Sequence, residues 1–199
     1  MNTQAIKVIL CSIGIALLTD SALAGSEIRA RVHRTTQLAR EAVLQRIEEI
    51  GRHGDCRRNF ARRAIDLSVL RATARKARFY DATGPAGNLK FSDVVGKPSS
   101  PDLTLQTLAR QITADAFVLG YIEDSRYVRT NNVVLWRGYF ELQGVAEGPL
   151  RSTTADEKQS LLLHEILHIA LDKDDVDLNC RELCPFRLLS FCSQSRSDF

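Results

Sequence analysis

The sequence predicts an α+β fold in one domain, and three observations lead to this prediction. Helical spacing of apolar residues dominates the first part of the chain, β-forming segments follow, and an almost entirely apolar helix comes last. With 199 residues, the chain is long enough for one domain with its own core. We therefore expect N-terminal helices, a mixed sheet and the late helix to pack together over residues 25–199.

The first residues are typical of a secretory signal peptide. Lys7 precedes an apolar run over residues 8–18, and Ala22-Leu23-Ala24 provides small side chains at a cleavage site. The apolar run is too short to span a bilayer, so we expect cleavage after residue 24 and no stable membrane insertion afterwards. An uncleaved amphipathic anchor is the alternative. The product is expected to be exported, either periplasmic or secreted.

Export gives the cysteines a specific meaning. An oxidising compartment and an even number of cysteines favour disulfide bonds, with the pairing left open. A structural zinc held by thiolates is the alternative, but the spacings do not fit the usual pairs of ligands. The cysteines that remain after signal removal are Cys56, Cys180, Cys184 and Cys192.

The charge distribution is uneven although the net charge is only +3. Basic residues are concentrated before residue 79 and acidic residues after it. A basic half is a feature of many nucleic-acid-binding proteins. Here the arginines are spread around helical stretches with few aromatic neighbours, which favours a solvated helical face. We expect no nucleic-acid partner.

Two long helices are predicted first. Residues 26–51 have apolar side chains at helical spacing and end at a glycine, and residues 56–80 continue as a second helix after a short break. The apolar positions of the first are Ile28, Val32, Leu38, Val43, Ile47 and Ile50. Those of the second are Phe60, Ala64, Leu67 and Leu70 or Arg71.

Turns and a third helix follow. Residues 81–88 and 97–102 are rich in the residues that favour turns. Asp102 is a candidate N-cap for a helix over residues 103–113.

Strands are predicted next. Residues 114–124 form one strand, and residues 133–146 form one or two more after a turn at Asn131 and Asn132.

The late helix is expected to start near residue 154. Thr153 or Thr154 can cap its free amides, while Asp156 and Glu157 suit its positive end.

The late helix contains the motif H-E-x-x-H, formed by His164, Glu165 and His168. Residues i and i+4 share one helix face, so both imidazoles can bind one zinc ion. Glu165 points about 100° away and can accept a proton from zinc-bound water. Two histidines on a packed core helix are the alternative, but such a buried polar group would still need partners. The motif therefore predicts zinc ligands at His164 and His168 and a general base at Glu165.

Residues 164–174 resemble the extended zinc signature of the metzincin peptidases, H-E-x-x-H-x-x-G-x-x-H/D. Residues 114–124 and 144–148 also look like the segments before this helix in that group. The resemblance implies that Asp174 is the third zinc ligand. It also implies a peptide or protein substrate that pairs with an edge strand, for which residues 133–141 are the candidate.

Other acidic residues remain candidates for the third ligand, with Glu182 the second choice. The full set after the motif is Asp172, Asp174, Asp175, Asp177 and Glu182.

Two positions depart from the metzincin pattern. Leu171 replaces the signature glycine, and because leucine is poorly suited to positive φ we expect the turn at Asp172 or Lys173. Met1 is the only methionine, so the methionine turn below the metal has no methionine. Cys184 is the candidate to take its place or to staple that turn.

The sequence therefore predicts an exported zinc metallopeptidase in which Glu165 activates water. Tyr121, Tyr127 and Tyr139 are candidates to stabilise the oxyanion. The alternative is a catalytically inactive, disulfide-stapled zincin-like binding or scaffold protein. A third possibility is a propeptide role for the N-terminal helices, with a Cys56 thiolate on the metal. We prefer these helices as part of the fold, because the remainder would be small and hard to stabilise.

Overall fold

A computed structural model describes residues 3–98, 102–112, 114–144 and 148–174. The helices and strands in this part of the chain confirm an α+β fold. In chain order they are α1 Thr3–Arg52, α2 Gly54–Arg62, α3 Leu67–Lys76, β1 Arg78–Asp81, α4 Phe91–Val95, α5 Leu105–Ile112, β2 Ala116–Glu123, β3 Arg126–Leu135, α6 Arg137–Phe140, β4 Glu141–Gly144, β5 Gly148–Ser152 and α7 Ala155–Leu171.

Helix α1 is continuous and includes the backbone of the predicted signal peptide. Its fully buried side chains include Val43, Ile47 and Ile50, as the apolar spacing predicts. The prediction for Leu38 is wrong, because that side chain is 62% exposed. Ala39 occupies the buried face instead, four residues before Val43, and Leu38 is turned about 100° away. No helix in the described part of the chain has the length and apolar character to cross a membrane.

The second predicted helix is interrupted and ends earlier than expected. Ala64 is exposed and has a φ of 56°, outside the α-helical range, so the chain breaks after α2. Asp66 then accepts a hydrogen bond from the amide of Ser68 at 2.7 Å and caps α3. The prediction of one helix over residues 56–80 is therefore wrong. Its last residues form strand β1.

The main sheet has the strand order β1-β3-β2, with β1 parallel and β2 antiparallel to β3. The β2–β3 turn lies at Asp124 and Ser125, both of which have positive φ. The turn predicted at Asn131 and Asn132 is wrong, because both residues lie inside β3.

Strand β3 is the central strand of this sheet. Its end, residues 133–135, pairs with β1 on one side and β2 on the other, and is almost completely buried. A buried run of this kind is typical of a central strand. The prediction that residues 133–141 form an edge strand is therefore wrong. After residue 136 the chain enters α6 and then β4, which pairs with β5 in a separate hairpin.

The cap of α5 also differs from the prediction. Thr104 accepts a hydrogen bond from the amide of Thr107 at 3.2 Å, directly before the helix begins. Asp102 instead forms an ion pair with Lys90 at 2.9 Å. The hydroxyl nearest to the helix start thus takes the capping role.

Buried side chains lie on both faces of the main sheet. Val133 and Leu135 join the core formed with α1, α3 and α7, whereas Val134 joins the group formed with α4 and α5. This division follows from the alternation of side chains along a strand. Helix α7 therefore packs on the same sheet face as α1.

Cys56 is fully buried in the core beside α1 and α7 and is disulfide-bonded. A cysteine in a disulfide has no thiolate to donate to a metal. The prediction that a Cys56 thiolate binds the metal is therefore wrong. The other mature-chain cysteines and their pairing lie outside the described residues.

Candidate functional site

Helix α7 begins with a complete capping box. Thr154 Oγ1 accepts a hydrogen bond from the amide of Glu157, and the Glu157 carboxylate accepts one from the amide of Thr154 at 2.8 Å. Of the two predicted caps, Thr154 is therefore confirmed. Thr153 is buried and donates its hydroxyl to the carbonyl of Gly138 at 3.0 Å. Both threonines fix the start of the helix.

A buried arginine connects the start of α7 to α1. The Arg46 side chain is 2% exposed and donates to the carboxylate of Asp156 at 2.8 Å and to its carbonyl at 3.1 Å. It also pairs with Glu49 of α1 at 2.9 Å. A buried guanidinium needs such partners, so the contact fixes where α7 begins relative to α1.

The motif residues lie in the centre of α7. Glu165 is only 4% exposed, and His164 and His168 are half-buried. The surrounding apolar side chains are all at most 6% exposed: Leu161, Leu162, Leu163, Ile166 and Leu167. Packing of these residues places the helix in the core and leaves the imidazoles on its partly accessible side.

The two imidazoles converge on one point. The Nε2 atoms of His164 and His168 are 3.0 Å apart, and the ring planes are nearly perpendicular at 86°. Two nitrogens bound to one tetrahedral zinc, each at about 2.0–2.1 Å, would be about 3.4 Å apart. The pair would need only a small adjustment to bind a single ion.

The chain beyond α7 fixes the orientation of His168. Its Nδ1 lies 2.6 Å from the carbonyl oxygen of Lys173. A carbonyl only accepts hydrogen bonds, so Nδ1 carries a proton, and when the ring is neutral its Nε2 presents a lone pair. A backbone carbonyl on the second nitrogen is typical of metal-binding histidines.

The turn that presents this carbonyl occurs at Asp172. Asp172 is the C-cap of α7, with φ 51° and ψ 45°, while Leu171 is the last helical residue. This confirms that the turn begins after the leucine. Aspartate tolerates the left-handed conformation better than leucine does.

Asp174, the predicted third ligand, pairs with Arg129 of β3. Arg129 Nη2 contacts Asp174 Oδ1, and Nη1 contacts Asp172 Oδ1 at 2.6 Å. No group of three or more His, Cys, Asp or Glu side chains in the described ranges is arranged to hold a metal ion. The structure thus brings His164 and His168 together and leaves Asp174 on Arg129. The alternatives Asp175, Asp177 and Glu182 lie outside the described residues.

Among the candidate tyrosines, Tyr127 is the one whose pKa is affected by the charges of Asp174 and Glu165. Tyr127 is 48% exposed. Desolvation of its buried part raises its pKa, the Arg129 charge opposes this rise, and the charges of Asp174 and Glu165 add to it. The Arg129 guanidinium lies 5.2 Å from the centre of the Tyr127 ring. The hydroxyl therefore stays protonated at neutral pH, within the electrostatic influence of both carboxylates.

The other two tyrosines have different surroundings. Tyr139 is 8% exposed in the core, and its burial raises its pKa to about 12. The ring of Tyr121 lies 4.7 Å from the Lys97 ammonium.

Arg129 was not identified from the sequence. It lies 43 residues before Asp172 and 45 before Asp174. Alternation along β3 could have placed Arg129 on the same strand face as Tyr127. No sequence pattern indicated that this face meets the end of α7.

Comparison with known proteins found no family model, no curated protein and no solved structure that matches this chain. The likeness to the metzincin signature therefore depends on residues 164–174 themselves.

Proposed function

We propose that the protein is an exported zinc-dependent metallopeptidase with a single zincin-like domain over residues 25–199. The observation that carries the proposal is the 3.0 Å approach of the His164 and His168 Nε2 atoms on one face of a largely buried helix. Asp174 is the third ligand in this proposal. A carboxylate has two oxygens, so it can accept from Arg129 and bind an ion as well.

The donors in this set suit zinc. Imidazole nitrogen and carboxylate oxygen are common zinc ligands, and a protein site with an open position is typical of catalytic zinc. The Lys173 carbonyl supports the proposal because it keeps the His168 Nε2 lone pair available.

The residues of the chain then have distinct tasks. Bound zinc would supply Lewis-acid activation of water and of the scissile carbonyl. Glu165 accepts the proton from the attacking water and delivers it to the leaving amine. Tyr127, protonated at neutral pH, donates a hydrogen bond to the oxygen on which negative charge develops.

The substrate in this proposal is an extended peptide or protein segment. Because β3 is central, such a segment would pair with β2, which is an outer strand of the described sheet and also contacts α7. Main-chain pairing of this kind would hold the peptide beside the histidine pair.

The proposal is tested by Glu165→Gln in purified protein. The variant should keep its zinc and lose cleavage of a generic peptide library by at least about 100-fold, because the amide cannot accept the proton. Glu48→Gln, at an exposed site on α1, is the matched control and should cleave like the wild type. Equal cleavage by wild type and Glu165→Gln would show that Glu165 is not the base.

The second candidate is a catalytically inactive, disulfide-stapled zincin-like binding or scaffold protein. The pairing of Asp174 with Arg129 favours this function. In the described part of the chain, Asp174 does not form a group of three metal donors with the two histidines. This function would be supported if wild type and Glu165→Gln both bind zinc and neither cleaves any peptide.

A further inference from the structure

Arg129 contacts both ends of the short turn that follows α7. Its Nη1 donates to Asp172 Oδ1 at 2.6 Å, and its Nη2 donates to Asp174 Oδ1. The residue between them, Lys173, accepts the hydrogen bond from His168 Nδ1 at 2.6 Å. One guanidinium thus holds the two residues that flank the carbonyl on which the His168 orientation depends.

The arginine is the fixed partner in these contacts. Its side chain is 12% exposed, whereas the side chains of Asp172 and Asp174 are 74% and 79% exposed. Its backbone lies within β3, paired with Gly120 of β2. A planar guanidinium in a fixed position can engage two carboxylates at once, which a lysine ammonium does less well.

The turn needs such support because its first residue is in an unfavourable conformation. Asp172 has a φ of 51°, in the left-handed region that residues other than glycine adopt less readily. Its ion pair with the largely buried Arg129 holds Asp172 at this turn. The ion pair between Arg129 and Asp174 holds the chain on the other side of the Lys173 carbonyl.

We propose that Arg129 is a positioning residue that acts on the metal site through this turn. Arg129 fixes residues 172–174, the Lys173 carbonyl keeps the proton on Nδ1 of His168, and the Nε2 lone pair stays directed at His164. The effect on zinc affinity rests on the proposed function. The effect on the His168 tautomer requires no metal.

The test uses nitrogen-15 NMR of the histidine rings in purified, chelator-treated protein at about pH 8, where ordinary imidazoles are neutral. The chain has only four histidines, which simplifies assignment. Wild type should show the His168 proton on Nδ1, and Arg129→Gln should show a mixture of tautomers. Arg126→Gln, which removes an exposed arginine from the same strand, is the matched control and should resemble wild type.

Zinc affinity, measured by competition with a chelator, is the second readout. Arg129→Gln should weaken it about 10- to 100-fold, the usual effect of losing an outer partner of a metal ligand. Asp172→Asn should act in the same direction on both readouts. It covers the case in which Arg129→Gln does not fold, because asparagine also tolerates positive φ.

The outcomes separate this inference from the proposed function. An unchanged Nδ1 proton in Arg129→Gln, or in Asp172→Asn if only that variant folds, would overturn the inference. A changed tautomer in protein that binds no zinc would support the positioning role and contradict the zinc proposal. If wild type binds zinc and neither variant changes the tautomer or the zinc affinity, the metal site stands and the positioning role of Arg129 is overturned.

Discussion

The Nε2 atoms of His164 and His168 lie 3.0 Å apart on a helix whose neighbouring side chains are almost all apolar. Two nitrogens this close must share a proton or a metal ion, since two lone pairs would otherwise face each other. When the His168 ring is neutral and its Nδ1 donates to Lys173, its Nε2 is an acceptor, and the shared proton then comes from His164. A zinc ion would replace that proton.

Tyr127→Phe should lower kcat about 100-fold, the usual loss when one donor to a developing oxyanion is removed. KM and zinc content should change little, because the ring and its contact with Arg129 are kept. Steady-state kinetics on a cleavable peptide provide the measurement. Tyr121→Phe is the control and should behave as wild type. An unchanged kcat in Tyr127→Phe would remove this tyrosine from the mechanism.

Ile47→Ala should lower the free energy of unfolding by about 2–5 kcal/mol, because it leaves a cavity where α1 packs on α7. Leu38→Ala, on the same helix but 62% exposed, should change it by less than about 0.5 kcal/mol. Urea unfolding of both variants gives the comparison. Equal losses would mean that α1 presents a different face to the core.

Gly87→Ala should destabilise the protein by about 1–3 kcal/mol through overpacking. A Cβ at this position would lie 2.4 Å from the carbonyl oxygen of Ala82, a backbone atom that cannot move aside easily. Gly84→Ala, in the same turn, meets nothing closer than 3.4 Å and should be nearly neutral. Thermal unfolding of the two variants would distinguish them, and a neutral Gly87→Ala would contradict the close packing of this turn.

Tyr139 should make stability depend on alkaline pH. Its pKa is raised from 10.0 to about 12 in the folded protein, so the unfolded chain loses this proton first. The associated stability is complete below pH 10 and is lost as the pH rises toward 12, by about 1.4 kcal/mol at pH 11. Urea unfolding at pH 9 and pH 11 should show this extra loss in wild type and not in Tyr139→Phe. Parallel losses in both proteins would contradict the assignment.

Local signals predicted those parts of the fold that depend on neighbouring residues. The Thr154 cap of α7 and the turn at Asp172 follow from residues within a few positions of each other, although the reciprocal bond from Glu157 was not predicted. The α1 face from Val43 to Ile50 follows from helical spacing, which within α1 is wrong for Leu38, since Ala39 is the buried residue instead.

Predictions failed where distant contacts decide the structure. Residues 78–80 continue a helical pattern, yet pairing with β3 makes them a strand. The edge position expected for residues 133–141 depended on strand order, which local patterns do not specify. The same limit applies to Arg129, whose partners are distant in sequence and meet it only after α7 packs beside the sheet.

Zinc analysis of purified protein, after exposure to zinc and removal of unbound metal, tests the central proposal most directly. Wild type should retain about one zinc per chain. The double variant His164→Ala/His168→Ala should retain almost none, and His33→Ala, at an exposed site on α1, should match wild type. A wild type without zinc, or a double variant with the same zinc content as wild type, would contradict a metal centre on α7.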